Sequence, residues 1–115
     1  MMEFEELSEF IKDLKALTKR FRTLPDDIEI LKKVLEIEPD AIPPRSVRIS
    51  GLGLKSCIIK VKRIACRAMK GKGSNSGLRI IYAYKKDEQK ITMIELYFKG
   101  DKENEDRERI SKYFD

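Results

Sequence analysis

The sequence predicts an α+β fold: an N-terminal helical hairpin packed on a curved antiparallel sheet of three to four strands, with a C-terminal helix. Apolar residues recur at helical spacing across residues 1–40, and three segments rich in β-branched and aromatic residues follow. The length of 115 residues suits one hydrophobic core and is too small for two. We therefore expect residues 1–115 to form a single domain.

Two short antiparallel helices are expected to form the hairpin. The first begins near Ser8. Its buried stripe consists of Phe10, Leu14, Leu17 and Phe21. The segment TLPDD separates the helices, with Thr23 as the N-cap of the second. Pro39 ends the second helix, because proline lacks the N–H that helix continuation needs. The alternating segment MEFEEL before the hairpin is a candidate for the fourth strand.

Three strands are expected to follow as an antiparallel meander. They are CIIKVKRIACR (57–67), GLRIIYAY (77–84) and KITMIELYF (90–98). A Gly-rich basic loop joins the first two, and the polar segment KKDEQK joins the last two. Residues 47–49 are expected to be a short extended piece. In the first strand the alternation fails at Arg63 and Ile64, which indicates a bulge or bend.

The last predicted element is a charged helix at residues 101–113. Only Ile110, Tyr113 and Phe114 can give it apolar contacts, so we expect it to dock weakly. The helical hairpin then covers one face of the sheet, and the other face stays available for a ligand.

Basic residues are concentrated in the middle of the chain. Residues 41–86 contain twelve Lys and Arg and no Asp or Glu, whereas more acidic than basic residues lie on either side. The net charge of +5 conceals this segregation. A basic region between acidic ends favours a polyanionic partner, and a solvated charged surface is the simpler alternative.

The composition excludes several kinds of site. The chain has no histidine, so acid–base chemistry would need Lys, Arg, Tyr or carboxylates. Cys57 and Cys66 are too few for a disulfide framework and form no zinc motif, so we expect no metal or other cofactor. No apolar run approaches the about 20 residues of a membrane span, and the N-terminus lacks the features of a signal peptide. We therefore expect a cytoplasmic protein that does not bind a membrane.

Two lysines and one arginine are predicted to form a cation cluster. Lys60 and Lys62 point to one face of their strand, and the apolar residues beside them point to the other. Arg79 on the neighbouring strand can join them. Unpaired cations repel one another unless an anion binds between them, so the arrangement is typical of a phosphate site. The simpler alternatives are a solvated strand face for the lysines and an ion pair between Arg79 and Glu95.

The order of these segments resembles the RelE/ParE superfamily of toxins from type II toxin–antitoxin systems. The likeness covers the helices in EFIKDLKALTKRFRTLPDDIEILKKVL and the strands IIKVKRI, GLRIIYAY and ITMIELYF, followed by KGDKENEDRERI. The most specific part is GLRIIYAY with the aromatic strand after it. The resemblance implies one RelE/ParE-like toxin domain over residues 1–115.

The resemblance also implies an activity. RelE-like mRNA interferases are ribosome-dependent endoribonucleases that inhibit translation and need no metal. In them, the residues that match Lys60, Lys62 and Arg79 contact the scissile phosphate. A lysine among other cations can have a depressed pKa, so one of the two lysines could act as the base.

Further site residues follow from the resemblance. The late arginine and tyrosine of the mRNA-cleaving members fall near Gly100 and Asp106, which cannot do the same work. Tyr97, Lys99 or Lys102 would have to substitute for them, and we place Tyr97 among the catalytic residues. The expected RNA-binding residues are Lys55, Arg63, Arg67, Lys70, Lys72, Lys99 and Lys102.

The implied partners are mRNA on the ribosome and a cognate acidic antitoxin, with which the toxin forms a hetero-oligomer. Two other functions remain open. One is a ParE-like toxin that inhibits gyrase by binding. The other is a non-catalytic nucleic-acid-binding or regulatory module on the same fold.

Overall fold

The structure is a computed structural model, and it describes residues 1–50 and 56–114. Its elements in chain order are β1 (Glu3–Glu6), α1 (Ser8–Thr18), α2 (Leu24–Ile37), β2 (Ser46–Arg48), β3 (Cys57–Val61), β4 (Leu78–Lys85), β5 (Lys90–Phe98) and α3 (Arg107–Tyr113). A short 3₁₀ turn at Lys86–Glu88 joins β4 to β5. The helices and strands confirm the predicted α+β class.

The strands form one five-stranded sheet in the order β1-β5-β4-β3-β2. The pairs among β2, β3, β4 and β5 are antiparallel, as expected. The N-terminal strand β1 pairs with β5 in parallel, so the sheet is mixed, and the extended piece near residue 47 becomes the fifth strand β2. The backbone N–H of Leu7 donates to the carbonyl of Met93 (3.0 Å), which continues this pairing to the start of α1.

The helices α1 and α2 cover one face of the sheet, which we call the hairpin face. Their buried apolar residues are Phe10, Leu17, Leu24, Ile28, Leu31 and Leu35. These pack on alternate strand residues, among them Ile59, Val61, Leu78, Ile80, Tyr82, Ile91 and Met93. The side chains between those positions therefore point to the opposite face.

Thr23 occupies the N-cap position of α2, as expected, but its side chain does not cap the helix. Its hydroxyl donates to Asp27 Oδ2 (2.7 Å) and accepts from the backbone N–H of Ala68 (2.9 Å). The hydroxyl therefore ties the start of α2 to the chain that follows β3.

The strand predicted over residues 57–67 is shorter than expected, because β3 ends at Val61. The backbone N–H groups of Lys62 and Arg63 both donate to the carbonyl of Arg45, at 2.8 and 3.3 Å. Two consecutive donors on one acceptor break the regular ladder, so the chain turns away from the sheet here. The predicted change of direction is present, and it comes before Ile64.

The opposite face of the sheet is not left open, which corrects the expectation of a free face. Ile110 and Phe114, from α3 and the residue after it, pack there on Ile58, Ile81, Ala83, Ile94 and Tyr97. We call this the α3 face. The helix is also shorter than the predicted 101–113, since the structure assigns residues 101–106 to turns, bends and irregular chain. The Asp106 carboxylate accepts from the Arg109 N–H (3.0 Å) and caps the start of α3.

A bulge in β5 gives α3 a backbone contact on the sheet, in addition to the apolar contacts of Ile110 and Phe114. Ile81 pairs with Glu95 and Tyr82 pairs with Met93, so Ile94 is an extra residue in its strand. Its carbonyl accepts from Arg109 Nη1 (3.0 Å), and the same guanidinium nitrogen donates to Asp13 of α1 (2.7 Å). One partly buried arginine therefore connects α3, the sheet and α1.

Candidate functional site

Three neighbouring strands bring Lys60, Arg79 and Tyr97 together on the α3 face. Lys60 of β3 pairs with Ile81 of β4, and Arg79 of β4 pairs with Tyr97 of β5. Lys60 and Arg79 are therefore diagonal neighbours on one face, with about 7 Å between their Cα atoms. Three of the four residues predicted to be catalytic thus lie side by side.

The Arg79 guanidinium is held by backbone carbonyls. Its Nη1 atom donates to the carbonyl of Lys62 (2.9 Å) and to that of Leu78 (3.2 Å). Within the described residues it makes no ion pair, so the alternative pairing with Glu95 is not the arrangement found. Among the described residues, therefore, no carboxylate neutralises the charge of the Arg79 guanidinium, which lies beside Tyr97.

Lys60 is paired with an acidic residue from the C-terminal part of the chain. Its ammonium donates to Glu105 Oε1 (3.0 Å), and the side chains are only 15% and 6% exposed, respectively. Glu105 also accepts from Arg107 Nε (3.2 Å). A carboxylate therefore already accepts a charge-assisted hydrogen bond from the Lys60 ammonium.

The segment of residues 99–106, which we call the cover segment, makes three further contacts over the site. Lys102 forms an ion pair with buried Glu95 and lies 5.2 Å from the centre of the Tyr97 ring. The backbone N–H of Asp106 donates to Glu95 Oε1 (2.8 Å). The cover segment is thus attached to the sheet at Glu95 and at Lys60.

Glu105 changes the acid–base character of the site. Burial alone would lower the pKa of Lys60, but the carboxylate of Glu105 and the nearby Tyr97 hydroxyl outweigh burial, so the pKa is raised. Burial alone would raise the pKa of Glu105, but hydrogen bonds from its own backbone, Lys60 and Arg107 outweigh it, so this pKa is lowered. The expectation of a site lysine with a depressed pKa is therefore wrong for Lys60, whose closest charged neighbour is an acid.

The Tyr97 hydroxyl is buried and has no hydrogen-bond partner among the described residues. Tyr97 is itself only 5% exposed. A buried hydroxyl without a partner costs free energy, typically about 1–3 kcal/mol. Because it lies close enough to Lys60 to help raise the pKa of that lysine, we place it among the polar groups of the site.

The other predicted residues are spread over the surface. Lys62 is exposed just beyond the end of β3. Lys70 and Lys72 are exposed in the loop before β4, and Lys99 is exposed at the start of the cover segment. Lys55 lies outside the described residues.

Arg63 and Arg67 lie on the hairpin side of the molecule. Both line a cavity beside α2. Arg67 donates from Nε to the buried carboxylate of Asp27 (3.1 Å). Arg63 and Arg67 therefore line the cavity beside α2, whereas Lys60 and Arg79 lie on the α3 face.

Glu105 is the residue of this site that the sequence patterns did not reveal. It lies 45 positions from its partner Lys60. The only signal for it is the acidic run GDKENEDRE directly after the strand that carries Tyr97. An acidic run of this kind reads as a solvated surface unless the position of the chain is known.

The described residues contain neither a candidate metal site nor a candidate membrane-spanning helix. No group of three or more Cys, Asp or Glu side chains in that part of the chain could hold a metal ion. Within residues 1–50 and 56–114, no helix combines the length and the apolar character that crossing a bilayer requires.

Two solved structures share this architecture. The crystal structure of the archaeal RelE–RelB complex from Pyrococcus horikoshii OT3 has a chain that is 17% identical, with a TM-score of 0.55 over 86% of this chain and 96% of that one. A metal-bound toxin from Helicobacter pylori is 23% identical, with a TM-score of 0.51 over 89% of this chain and 99% of that one. No family model and no curated protein sequence matches the chain. The likeness to solved structures confirms the predicted resemblance at the level of the fold: this protein has a RelE-like toxin fold.

Proposed function

We propose that this protein is the toxin of a toxin–antitoxin pair and that it cleaves mRNA on the ribosome. The observation that carries the proposal is the convergence of Lys60, Arg79 and Tyr97 on one face of a RelE-like fold. Two cations and a buried hydroxyl without a partner form a site suited to a phosphodiester.

The proposed reaction is an internal transfer at phosphorus. The 2′-hydroxyl oxygen of the RNA forms a bond to the adjacent phosphorus and the bond from phosphorus to the 5′-oxygen breaks, which leaves a cyclic phosphate and a 5′-hydroxyl. Arg79 stabilises the negative charge that develops on the phosphoryl oxygens. Lys60 donates a proton to the leaving 5′-oxygen once the phosphate has replaced Glu105 beside it. The 2′-hydroxyl proton passes to solvent water.

RNA binding requires the cover segment to move. The Lys60 side chain is only 15% exposed with Glu105 against it, so a phosphate can reach the ammonium only when the cover segment moves aside. The ribosome and mRNA together would have to displace Glu105, and the site is closed in the free protein. A closed site in the absence of the ribosome fits a nuclease whose activity depends on the ribosome.

The antitoxin is proposed on chemical and structural grounds. One structural neighbour comes from a RelE–RelB complex, and the exposed cations of this chain favour an acidic partner. Co-expression with the gene next to this one, followed by purification, should yield a hetero-oligomer. Normal growth of cells that make this chain alone at high yield would contradict a toxin function.

Cleavage is tested by in vitro translation with a reporter mRNA and primer extension. Arg79→Ala should lower the cleavage rate by about 100-fold or more, because one donor to a developing negative charge contributes that much. The matched control is Arg22→Ala, since Arg22 is an exposed arginine away from the site. Circular dichroism should show that both variants are folded.

Three outcomes would contradict the proposal. Full cleavage by Arg79→Ala would remove the role of Arg79. Inhibition of DNA supercoiling by gyrase without mRNA cleavage would favour the ParE-like alternative. If neither activity is present in the wild-type protein, the non-catalytic module is the better interpretation.

A further inference from the structure

A second candidate site lies on the hairpin side of the molecule, away from Lys60 and Arg79. It is a cavity of about 390 Å³ between α2 and the chain that follows β3. Its aliphatic lining consists of Ile30, Leu31, Val34, Ile64 and Ala65. This volume is in the range of pockets that hold a ligand or an inserted side chain.

Three arginines stand around this apolar lining, namely Arg45, Arg63 and Arg67, and Asp27 is the one acidic residue in it. Asp27 is already engaged, because it accepts from the Arg67 backbone N–H (3.3 Å) and side chain (3.1 Å). The lining thus carries a net positive charge.

Two of the arginines have unused donors. Arg45 gives one nitrogen, Nη1, to Glu38 (3.1 Å), but its buried Nη2 atom has no partner among the described residues. Arg63 is exposed and forms no ion pair in the part of the chain that the structure describes. Unpaired guanidinium donors next to an apolar cavity favour a ligand that combines carboxylates with an aliphatic group.

The apolar surface continues beyond the cavity along α2. Ile30 is 53% exposed and Ile37 on the same helix is 83% exposed. Exposed isoleucines at this spacing lie on one side of a helix, as in grooves that bind an amphipathic helix.

We propose that this cavity binds an acidic, amphipathic segment of a protein partner. One apolar side chain of the segment enters between Ile30, Val34 and Ile64, and its carboxylates pair with Arg45 and Arg63. The inference rests on the proposed function, because a toxin needs an antitoxin and the antitoxin is the expected source of the segment. The structure assigns the segment to the hairpin side, so this contact would leave the α3 face uncovered.

The lining favours a peptide over RNA. None of the residues around the cavity is aromatic, and single-stranded RNA is usually held by stacking of its bases on aromatic side chains. The walls are branched aliphatic side chains, which pack well against leucine or isoleucine.

The test is fluorescence anisotropy with a labelled synthetic peptide. The peptide has about 15 residues, near the length at which an isolated helix becomes marginal, with leucines at helical spacing and glutamates at the other positions. A second peptide has lysines in place of the glutamates. The wild-type protein should bind the glutamate peptide at least about tenfold more tightly than the lysine peptide.

Matched variants locate the binding site. Ile30→Glu and Arg63→Glu should each weaken binding of the glutamate peptide by about tenfold. Ile11→Glu and Lys12→Glu introduce the same changes at exposed positions of α1, outside the cavity and off its helix, and both should stay within about twofold of wild type. Circular dichroism checks the fold of all four variants.

Several results would overturn the inference. These are equal binding of both peptides, no binding of the glutamate peptide, or equal losses in the cavity variants and their controls. Displacement of the bound peptide by a single-stranded RNA oligonucleotide, with the same dependence on Arg63, would make this a nucleic-acid site instead.

The mRNA cleavage assay separates this inference from the proposed function. Ile30→Glu should cleave mRNA like the wild-type protein, since Ile30 lies on the hairpin side. If the wild-type protein binds the peptide without cleaving mRNA, only the nuclease proposal fails. If it cleaves mRNA without binding the peptide, only the cavity inference fails.

Discussion

At the scale of single residues, the contact between Lys60 and Glu105 controls what the site can bind. Both side chains are mostly buried, so their attraction is screened less than that of a surface pair. The pair neutralises a cation that a phosphate would otherwise contact. The positive charge available to a ligand on the α3 face then comes mainly from Arg79 and from Lys62 beside it.

Glu105→Gln should therefore raise the affinity for single-stranded RNA. Removing one charge about 4 Å from Lys60 is worth about 1 kcal/mol even in water, which corresponds to about fivefold. The measurement is anisotropy of a labelled oligonucleotide at low salt. The control is Glu103→Gln, the same change at an exposed residue of the cover segment that forms no ion pair among the described residues. Equal effects of both variants would mean that Lys60 is not part of the RNA site.

At the scale of elements, α3 owes its position to tertiary contacts. It has seven residues, and an isolated helix of this length is not stable in water. Ile110 is fully buried against the sheet, and Arg109 connects to Asp13 of α1. The Tyr113 hydroxyl donates to both oxygens of Glu9 in α1, at 2.9 and 2.7 Å. These contacts hold the end of the chain over the α3 face and limit how far the cover segment can move.

The pKa of Glu9 reports this docking. The hydrogen bond from Tyr113 is the largest cause that lowers the pKa of Glu9 from 4.5 to about 2. A pKa lowered in the folded state contributes stability above the ordinary value of 4.5, and this contribution is lost as the pH falls through about 2. Tyr113→Phe should move the pKa of Glu9 back towards 4.5 and reduce the loss of stability between these two pH values.

An NMR titration of the Glu9 carboxyl carbon checks this prediction. Tyr84→Phe serves as the control, because it removes the hydroxyl of a half-buried tyrosine that does not contact Glu9. A wild-type pKa near 4.5 would show that α3 is not docked on α1 in solution. An unchanged low pKa in Tyr113→Phe would assign the shift to another contact.

At the scale of the whole molecule, the basic residues are divided between two sides of the sheet. Lys60 and Arg79 lie on the α3 face, whereas Arg63 and Arg67 line the cavity beside α2. The charge segregation along the sequence therefore places basic residues on both sides of the sheet. A single-stranded RNA on the α3 face can contact only part of the twelve basic residues in the range 41–86.

The salt dependence of RNA binding should show this division. Each neutralised phosphate of a single strand contributes about −0.7 to the slope of log affinity against log salt, so twelve contacts would give about −8. We expect a slope of only about −2 to −4, measured with a labelled oligonucleotide across a salt series. Arg79→Ala should make the slope less steep by about 0.7, and Arg22→Ala should leave it unchanged. A flat response would exclude phosphate contacts, and a slope near −8 would mean that both sides bind RNA.

Local patterns determined much of this protein. The apolar period of α1, the TLPDD boundary before α2, and the strands β4 and β5 follow from side chains within a few positions of one another. Strand alternation also determined that Lys60 and Arg79 point away from the helical hairpin. These features are predictable because burial of one face imposes a period of 3.6 or 2 on the sequence itself.

The tertiary structure alone decided the rest. The early end of β3 depends on the carbonyl of Arg45. The parallel pairing of β1 depends on where α1 and α2 return the chain. The closed site depends on the contact between Glu105 and Lys60, which are 45 positions apart. Each of these is a contact between segments far apart in the chain, and the short-range periods of a sequence carry no information about which distant segment will lie opposite. The sequence by itself thus determined that Lys60 and Arg79 share one face of the sheet, and the position of the cover segment decided that Glu105 lies against Lys60.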